Sequence, residues 1–137
     1  MRREFDFVKI VIFGIGTDIV KFSRIKKTHA RFGDHFINRL LMPEEHALFE
    51  KSHHPIRFLA MRFAAKEAIV KAMGTGFSNG IWIRDIGVVN NKLGKPLVVF
   101  SNRGKSVCKK LGIGDGHISL SDEAGLILAF SIMMKDI

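Results

Sequence analysis

Hydrophobic runs and glycines divide the first third of the chain into extended and helical segments. Residues 8–13 are rich in β-branched and aromatic side chains and end at two glycines, a pattern that predicts a buried strand followed by a turn. Thr17 or Asp18 is then expected to cap a helix that starts near Ile19 and continues through residues 21–32.

The strongest helical pattern covers residues 56–73, and Gly74 follows it in the position of a left-handed cap. Apolar side chains cover almost the whole circumference of this helix, which is typical of a buried helix. The other predicted elements are helices over 35–41, from 43 to a break at 53–55, and over 102–111, and strands over 81–89, 97–100, 117–121 and 126–134. We therefore expect a single α+β domain over residues 1–137, with an antiparallel-leaning sheet packed with a long buried helix.

Composition narrows the class of protein. The 137 residues are 47% hydrophobic and 26% charged, which is ordinary for a globular domain. The single cysteine, Cys108, excludes a disulfide framework and a multi-cysteine zinc site. The apolar run over residues 124–134 is much shorter than the ~20 residues of a membrane-spanning helix. No secretion signal is recognised either, so we expect a cytoplasmic protein without a membrane partner.

The charge balance points to a polyanionic partner. The formal net charge is +9, which suits nucleic acid, an anionic membrane face, phosphorylated cofactors or an acidic protein. Much of the excess lies in residues 21–31, which hold cations and no acid. This segment is either a solvated helix face or a docking surface; its charged residues include Lys21, Arg24, Lys27 and Arg31.

Asp18 is the first candidate for chemistry. It follows Gly14-Ile15-Gly16, which resembles the start of a dinucleotide fingerprint, but Ile19 stands where the third glycine belongs. That interpretation is therefore rejected. Asp18 remains either a helix cap or an oxygen ligand for a hard cation.

Four charged residues interrupt the buried helix, and buried charges need partners. Glu67 and Lys71 are four residues apart, on a side otherwise occupied by alanine, and form either a routine ion pair or part of a site. Arg62 and Lys66 form a like-charged pair, which is unfavourable unless an anion bridges it.

Two glycine-containing segments follow. Gly74-Thr75-Gly76 adds flexible backbone and a hydroxyl after the helix, where backbone N–H groups can approach a phosphate. Gly94-Lys95-Pro96 has the same potential. The alternative for residues 74–76 is that they only cap the helix, and the alternative for residues 94–96 is that they form an ordinary turn before a strand.

Together these segments resemble the small stand-alone holo-acyl-carrier-protein synthases, a class of 4′-phosphopantetheinyl transferase. The similarity lies in residues 14–20 (GIGTDIV) with Arg24-Ile25, and in residues 62–68 (RFAAKEA) and 71–76 (KAMGTG). Residues 94–96 and 117–122 fall where the family has its later motifs. Many members carry His where Asp122 stands, so no role of that His transfers to this chain.

The resemblance implies a 4′-phosphopantetheinyl transferase-like domain that forms a homotrimer with active sites between subunits. Such enzymes use Mg²⁺ to move the phosphopantetheine arm of coenzyme A onto a serine of an acyl carrier protein, releasing adenosine 3′,5′-bisphosphate and supporting fatty acid biosynthesis. Asp18 and Glu67 are the implied metal ligands and, with Lys71, the catalytic residues. Either Glu67 or a metal-bound water would fit as the general base.

The implied coenzyme A-binding residues are Arg62, Lys66, Lys71, Gly74, Thr75, Gly76, Lys95 and Pro96. Arg24 matches the carrier-binding helix of the family, and we expect Lys21, Lys27 and Arg31 to share that role. The alternative is a small basic nucleic-acid-binding domain that uses the cations at 21–31 and 103–110. That alternative leaves Asp18 and Glu67 unexplained, so no nucleic-acid partner is expected.

Overall fold

Twelve secondary-structure elements follow one another closely along the described chain. The computed structural model describes residues 11–137, so residues 8–10 of the first predicted strand lie outside the described residues. The helices and strands are β1 (Ile12–Lys21), α1 (Phe22–Phe32), α2 (Asp34–Leu40), α3 (Pro43–Glu50), α4 (Pro55–Met73), β2 (Ile86–Asn90), β3 (Pro96–Phe100), α5 (Asn102–Leu111), β4 (Ile113–Glu123) and β5 (Leu126–Lys135). Two 3₁₀ turns, Gly76–Ser78 and Ile83–Asp85, lie between α4 and β2.

The strands form two antiparallel sheets. One has the order β1-β5-β4, and the other is the β2-β3 hairpin. Helix α4 packs against β1 and β5, and its alanines at 64, 68 and 72 are buried. The structure is thus a mixed α+β domain with antiparallel sheets around a largely buried helix, as the hydrophobic pattern predicted.

The prediction of a turn at Gly14–Gly16 and a helix near Ile19 is wrong. Strand β1 runs straight through these residues, so Asp18 belongs to a strand and caps no helix. The glycines instead permit a close approach of β1 to α4. A Cβ added at Gly16 would lie 2.1 Å from the backbone oxygen of Ala68, and one at Gly14 would lie 2.1 Å from that of Ala72.

A second difference concerns the predicted strand over residues 81–89. Its first half is the 3₁₀ turn Ile83–Asp85, and only Ile86–Asn90 pairs with β3. The reason is local, because the carboxylate of Asp85 accepts a hydrogen bond from the backbone N–H of Trp82 at 2.7 Å. This bond stabilises a turn in place of a sheet pairing.

Other boundaries agree closely with expectation. Helix α4 ends at Gly74 in the left-handed conformation, with φ 75°, and α5 covers 102–111 as predicted. Strand β4 is longer than the predicted 117–121, since it begins before the irregular pairing between Ile113 and Gly116. Within residues 11–137, no helix has both the length and the apolar character needed to cross a bilayer.

Candidate active site

Strand β1 and helix α4 bring Asp18, Glu67 and Lys71 together. The ammonium of Lys71 donates to the backbone oxygen of Thr17 at 2.9 Å and lies 3.3 Å from Oδ1 of Asp18. The Asp18 side chain is 17% exposed and that of Lys71 is 54% exposed, so the cluster opens to solvent on the lysine side. The close packing at Gly16 places this part of β1 directly on α4.

Glu67 lies one helical turn before Lys71 and is partly buried. Burial raises the pKa of Glu67, and the nearby charge of Asp18 raises it further, while Lys71 and Arg24 act in the opposite direction. Among the ion pairs of residues 11–137, Lys71 pairs with Asp18 and not with Glu67. The routine intrahelical Glu67–Lys71 pair is therefore not what the structure contains.

The Asp18–Glu67 arrangement suits a hard cation. Asp18 lies near enough to Glu67 to raise its pKa, so the two carboxylates repel each other, and a cation held between them would relieve that repulsion. Within the described residues there is no group of three or more His, Cys, Asp and Glu side chains that could hold a metal. Mg²⁺ binds in many enzymes through one or two carboxylates together with substrate phosphates, so this donor set fits that ion.

Arg62 and Lys66 have a different environment from the one expected. Both are buried beside Glu45, with Lys66 Nζ 2.5 Å from Oε1 and Arg62 Nε 3.4 Å from Oε2. Lys66 also donates to the backbone oxygen of Leu40. The bridging anion is thus an internal carboxylate, and the side chain of Lys66 has no exposed surface in this structure for the coenzyme A contact predicted for it.

Arg62 remains accessible at one edge. Its Nη2 donates to Oδ1 of Asn90 at 3.2 Å, and its side chain lines an open groove of about 470 Å³. This groove is also lined by Arg57, Asn90, Gly94, Pro96 and Ser119, among others. The predicted residue Pro96 is therefore at the groove, whereas Lys95 lines an adjacent groove between β3 and β4.

The Gly74-Thr75-Gly76 segment follows the C-terminal end of α4. From Arg62 to the Gly74 cap, the helix rises by roughly 18 Å at the standard spacing. Gly74 and Gly76 both have positive φ, and the buried hydroxyl of Thr75 has no hydrogen-bond partner in the described part of the chain. The residues predicted to surround coenzyme A therefore form two separate groups within one chain.

The predicted carrier-binding residues lie on the surface. Arg24, Lys27 and Arg31 are exposed on α1, and Lys21 is the exposed last residue of β1. The guanidinium of Arg24 lies 5.5 Å from the ring centroid of Phe63 on α4. Phe63 in turn lines an apolar groove of about 280 Å³ between α1, α2 and α4.

Known proteins identify the family. Residues 14–129 match the model of the 4′-phosphopantetheinyl transferase superfamily. Over 124 residues the chain is 40% identical to the holo-acyl-carrier-protein synthase of Hamiltonella defensa. This aligned region covers 90% of this chain and 98% of the relative. The chain belongs to the holo-acyl-carrier-protein synthase family. It is accordingly an enzyme of the 4′-phosphopantetheinyl transferase class.

Solved structures agree with this family. The holo-acyl-carrier-protein synthase of Neisseria meningitidis matches with a TM-score of 0.87 at 41% identity, over 90% of this chain and 99% of that one. The Helicobacter pylori synthase, in complex with coenzyme A, matches with a TM-score of 0.76 at 30% identity, over 87% of this chain and 98% of that one.

Two features of this synthase were not predicted from its sequence. Glu45 was not identified from the sequence as the anion that the like-charged Arg62–Lys66 pair requires. Asp122 pairs with Arg57 at 2.5 Å, and this hydrogen bond holds the pKa of Asp122 below its usual value. No sequence signal connects Arg57 with Asp122, because the two residues lie 65 positions apart.

Proposed function

We propose that the chain transfers the 4′-phosphopantetheine group of coenzyme A to a serine hydroxyl of apo acyl carrier protein, in a Mg²⁺-dependent reaction that supports fatty acid biosynthesis. The observation that carries this proposal is the convergence of Asp18, Glu67 and Lys71 from β1 and α4. Family membership makes this reaction the first choice, and it disfavours the alternative of a nucleic-acid-binding domain.

In the proposed reaction, the serine oxygen forms a bond to the phosphorus that bears the pantetheine arm. The bond from that phosphorus to the bridging oxygen of the anhydride breaks, and adenosine 3′,5′-bisphosphate leaves with the electron pair. The serine proton must go to a base. Glu67 lies in the cluster with Asp18 and Lys71 and can accept this proton directly or through a water.

Asp18 and Glu67 would hold Mg²⁺. When bound, the ion would neutralise charge on the phosphate oxygens. Lys71 already contacts Asp18 and is more than half exposed, so its ammonium can move toward the leaving phosphate. Transfer of this kind depends mainly on positioning and on cations at the developing charge.

The separation of the coenzyme A-binding groups supports an assembly with shared sites. Arg62 lies near the middle of α4 and the Gly74–Gly76 segment follows its C-terminal end, roughly 18 Å along the helix axis, so a single phosphate cannot contact both within one chain. We propose that Arg62 and Pro96 of one subunit and Lys71 with residues 74–76 of another hold different parts of one coenzyme A molecule. Lys95 remains a proposed contact at the rim.

An apolar sheet face supports the proposed homotrimer. On the side away from α4, Ile15 and Ile19 of β1 are 62% and 59% exposed, and Leu128 and Phe130 of β5 are 46% and 38% exposed. Ile19 pairs directly with Leu128, so these side chains form a continuous patch. Such a patch is typical of a surface that another copy covers.

The proposed function is tested by mass spectrometry of apo acyl carrier protein incubated with the chain, coenzyme A and Mg²⁺. We expect the carrier to gain the mass of one phosphopantetheine group. A carrier with its acceptor serine replaced by alanine is the control and should gain none. Sedimentation of the same preparation reports the proposed trimer. Absence of any mass gain with the wild-type carrier would overturn the proposal.

A further inference from the structure

A second basic surface surrounds the only tryptophan of the chain. Trp82 directly precedes the 3₁₀ turn Ile83–Asp85 and is 48% exposed. The Cζ of Arg103 lies 3.8 Å from the centroid of its ring, and the Cζ of Arg84 lies 4.7 Å from it. We call Arg39, Trp82, Arg84 and Arg103 the tryptophan patch.

Hydrogen bonds to the buried Asp85 hold this patch in place. The carboxylate of Asp85, itself 4% exposed, accepts from the backbone N–H of Trp82 at 2.7 Å and from Nε of Arg103 at 2.9 Å. It also accepts from the hydroxyl of Ser101 at 2.7 Å. One carboxylate therefore fixes both the backbone of Trp82 and the guanidinium that stacks on its ring, so the patch is preorganised.

The patch is continuous with the surface around α1. An open depression of about 510 Å³ is lined by Arg39, Trp82, Arg84 and two apolar neighbours. Arg39 and Ile83 line both this depression and the apolar groove beside Phe63. Since Arg24 lies over Phe63, one surface extends from the α1 cations to Trp82.

The charge of the patch indicates the chemistry of its partner. Arg103 is paired with Asp85, but within residues 11–137 no carboxylate lies within 4.0 Å of a charged nitrogen of Arg39 or Arg84. The patch therefore presents excess positive charge around an aromatic side chain. Arginine and tryptophan are both enriched at protein interfaces and among the residues that contribute most to binding.

The stacking of arginines on the indole of Trp82 favours a protein partner over a nucleic-acid partner. Single-stranded nucleic acids bind by stacking their bases on open aromatic faces. Here two guanidinium groups already lie over the ring of Trp82, so the indole supports cations instead of offering a free platform. Acidic side chains of a protein can contact these cations without displacing them.

We propose that the tryptophan patch is a second contact surface for an acidic protein, and that this partner is the carrier protein docked on α1. The inference rests on the proposed function for the identity of the partner. It extends the expected docking surface beyond α1 to α2, the 3₁₀ turn and the start of α5.

Steady-state kinetics of Arg84→Glu test this inference, with Lys110→Glu as the matched charge reversal in the last turn of α5. At low salt, Arg84→Glu should raise the KM for the carrier by about three- to tenfold, since reversal of an interface charge weakens docking. The KM for coenzyme A should stay within about twofold of wild type. High salt should reduce the difference, and Lys110→Glu should behave like wild type.

Fluorescence provides an independent measurement, because Trp82 is the only tryptophan. Titration with a tryptophan-free apo carrier protein should change the indole emission in a saturable way, and single-stranded RNA should not. An unchanged carrier KM in Arg84→Glu, or an emission that responds only to RNA, would overturn the inference. If the wild-type chain forms no holo carrier, the proposed function fails, while the emission titration still decides whether the carrier binds at Trp82.

Discussion

Nζ of Lys66 lies 2.5 Å from Oε1 of Glu45 at a site where neither side chain is exposed. The other oxygen of Glu45 accepts from the backbone N–H of Val88 at 3.0 Å and faces Arg62. One carboxylate therefore compensates two buried cations and connects α3, α4 and β2. Burial lowers the pKa of Lys66, and the charge of Glu45 opposes that change.

We expect Glu45→Gln to reduce the free energy of unfolding by about 3–5 kcal/mol, because it leaves buried cations without their counter-charge. Urea denaturation measures this effect, and Glu44→Gln, at the exposed neighbouring position, is the control. The double variant Glu45→Gln/Lys66→Met should recover part of the loss, since it removes one cation as well. Equal stabilities of Glu45→Gln and wild type would refute the assigned role.

Gly16→Ala should both destabilise the protein and reduce turnover. Its Cβ would lie 2.1 Å from the backbone oxygen of Ala68, so β1 must move away from α4 and carry Asp18 with it. We expect a loss of roughly 1–3 kcal/mol in unfolding free energy, as for other overpacked sites. Thr17→Ala, on the exposed side of the same strand, should change stability little. A Gly16→Ala variant with normal stability would contradict the packing described for β1.

The sequence predicts some parts of this molecule better than others. Helices α3, α4 and α5 were predicted because proline, apolar periodicity and glycine caps are local signals. Gly14 and Gly16 were misinterpreted as a turn, because their role is to let β1 approach the carbonyl oxygens of α4, which no local pattern records. The Asp18–Lys71 pair likewise joins residues 53 positions apart, and only the packing of β1 on α4 brings them into contact.

Arg24→Glu should raise the KM for the carrier protein strongly and leave the KM for coenzyme A unchanged. Arg24 is exposed on α1 and lies near enough to Glu67 to affect its pKa, so a carrier docked there would be close to Asp18 and Glu67. The effect should weaken between 0.1 M and 1 M salt, where the Debye length falls from about 10 Å to about 3 Å. Lys26→Glu, two positions along the same helix, is the control. An unchanged carrier KM in Arg24→Glu would show that the cations of α1 face solvent and do not dock the carrier protein.

Glu67 should also make the stability of the protein depend on pH in the absence of metal. Its folded-state pKa is raised, so the folded chain binds more protons than the unfolded chain between the two pKa values. The stability contributed by Glu67 is therefore lost as pH rises from the unfolded value of about 4.3. In EDTA, Glu67→Gln should be slightly more stable than wild type at pH 7 and equally stable at pH 3, by thermal denaturation. A variant that is less stable than wild type at pH 7 would contradict this reasoning.

The joint binding of Mg²⁺ by Asp18 and Glu67 is the central claim. A Mg²⁺ titration of wild type, Asp18→Asn, Glu67→Gln and the control Glu123→Gln, which changes an exposed carboxylate at the end of β4, tests it most directly. Thermal denaturation and turnover should be measured on the same samples. We expect added Mg²⁺ to raise the Tm of wild type and of Glu123→Gln but not of the other two variants, which should remain folded and inactive. Near-normal turnover or an undiminished Mg²⁺-dependent rise in Tm in Glu67→Gln would show that this carboxylate does not hold the ion.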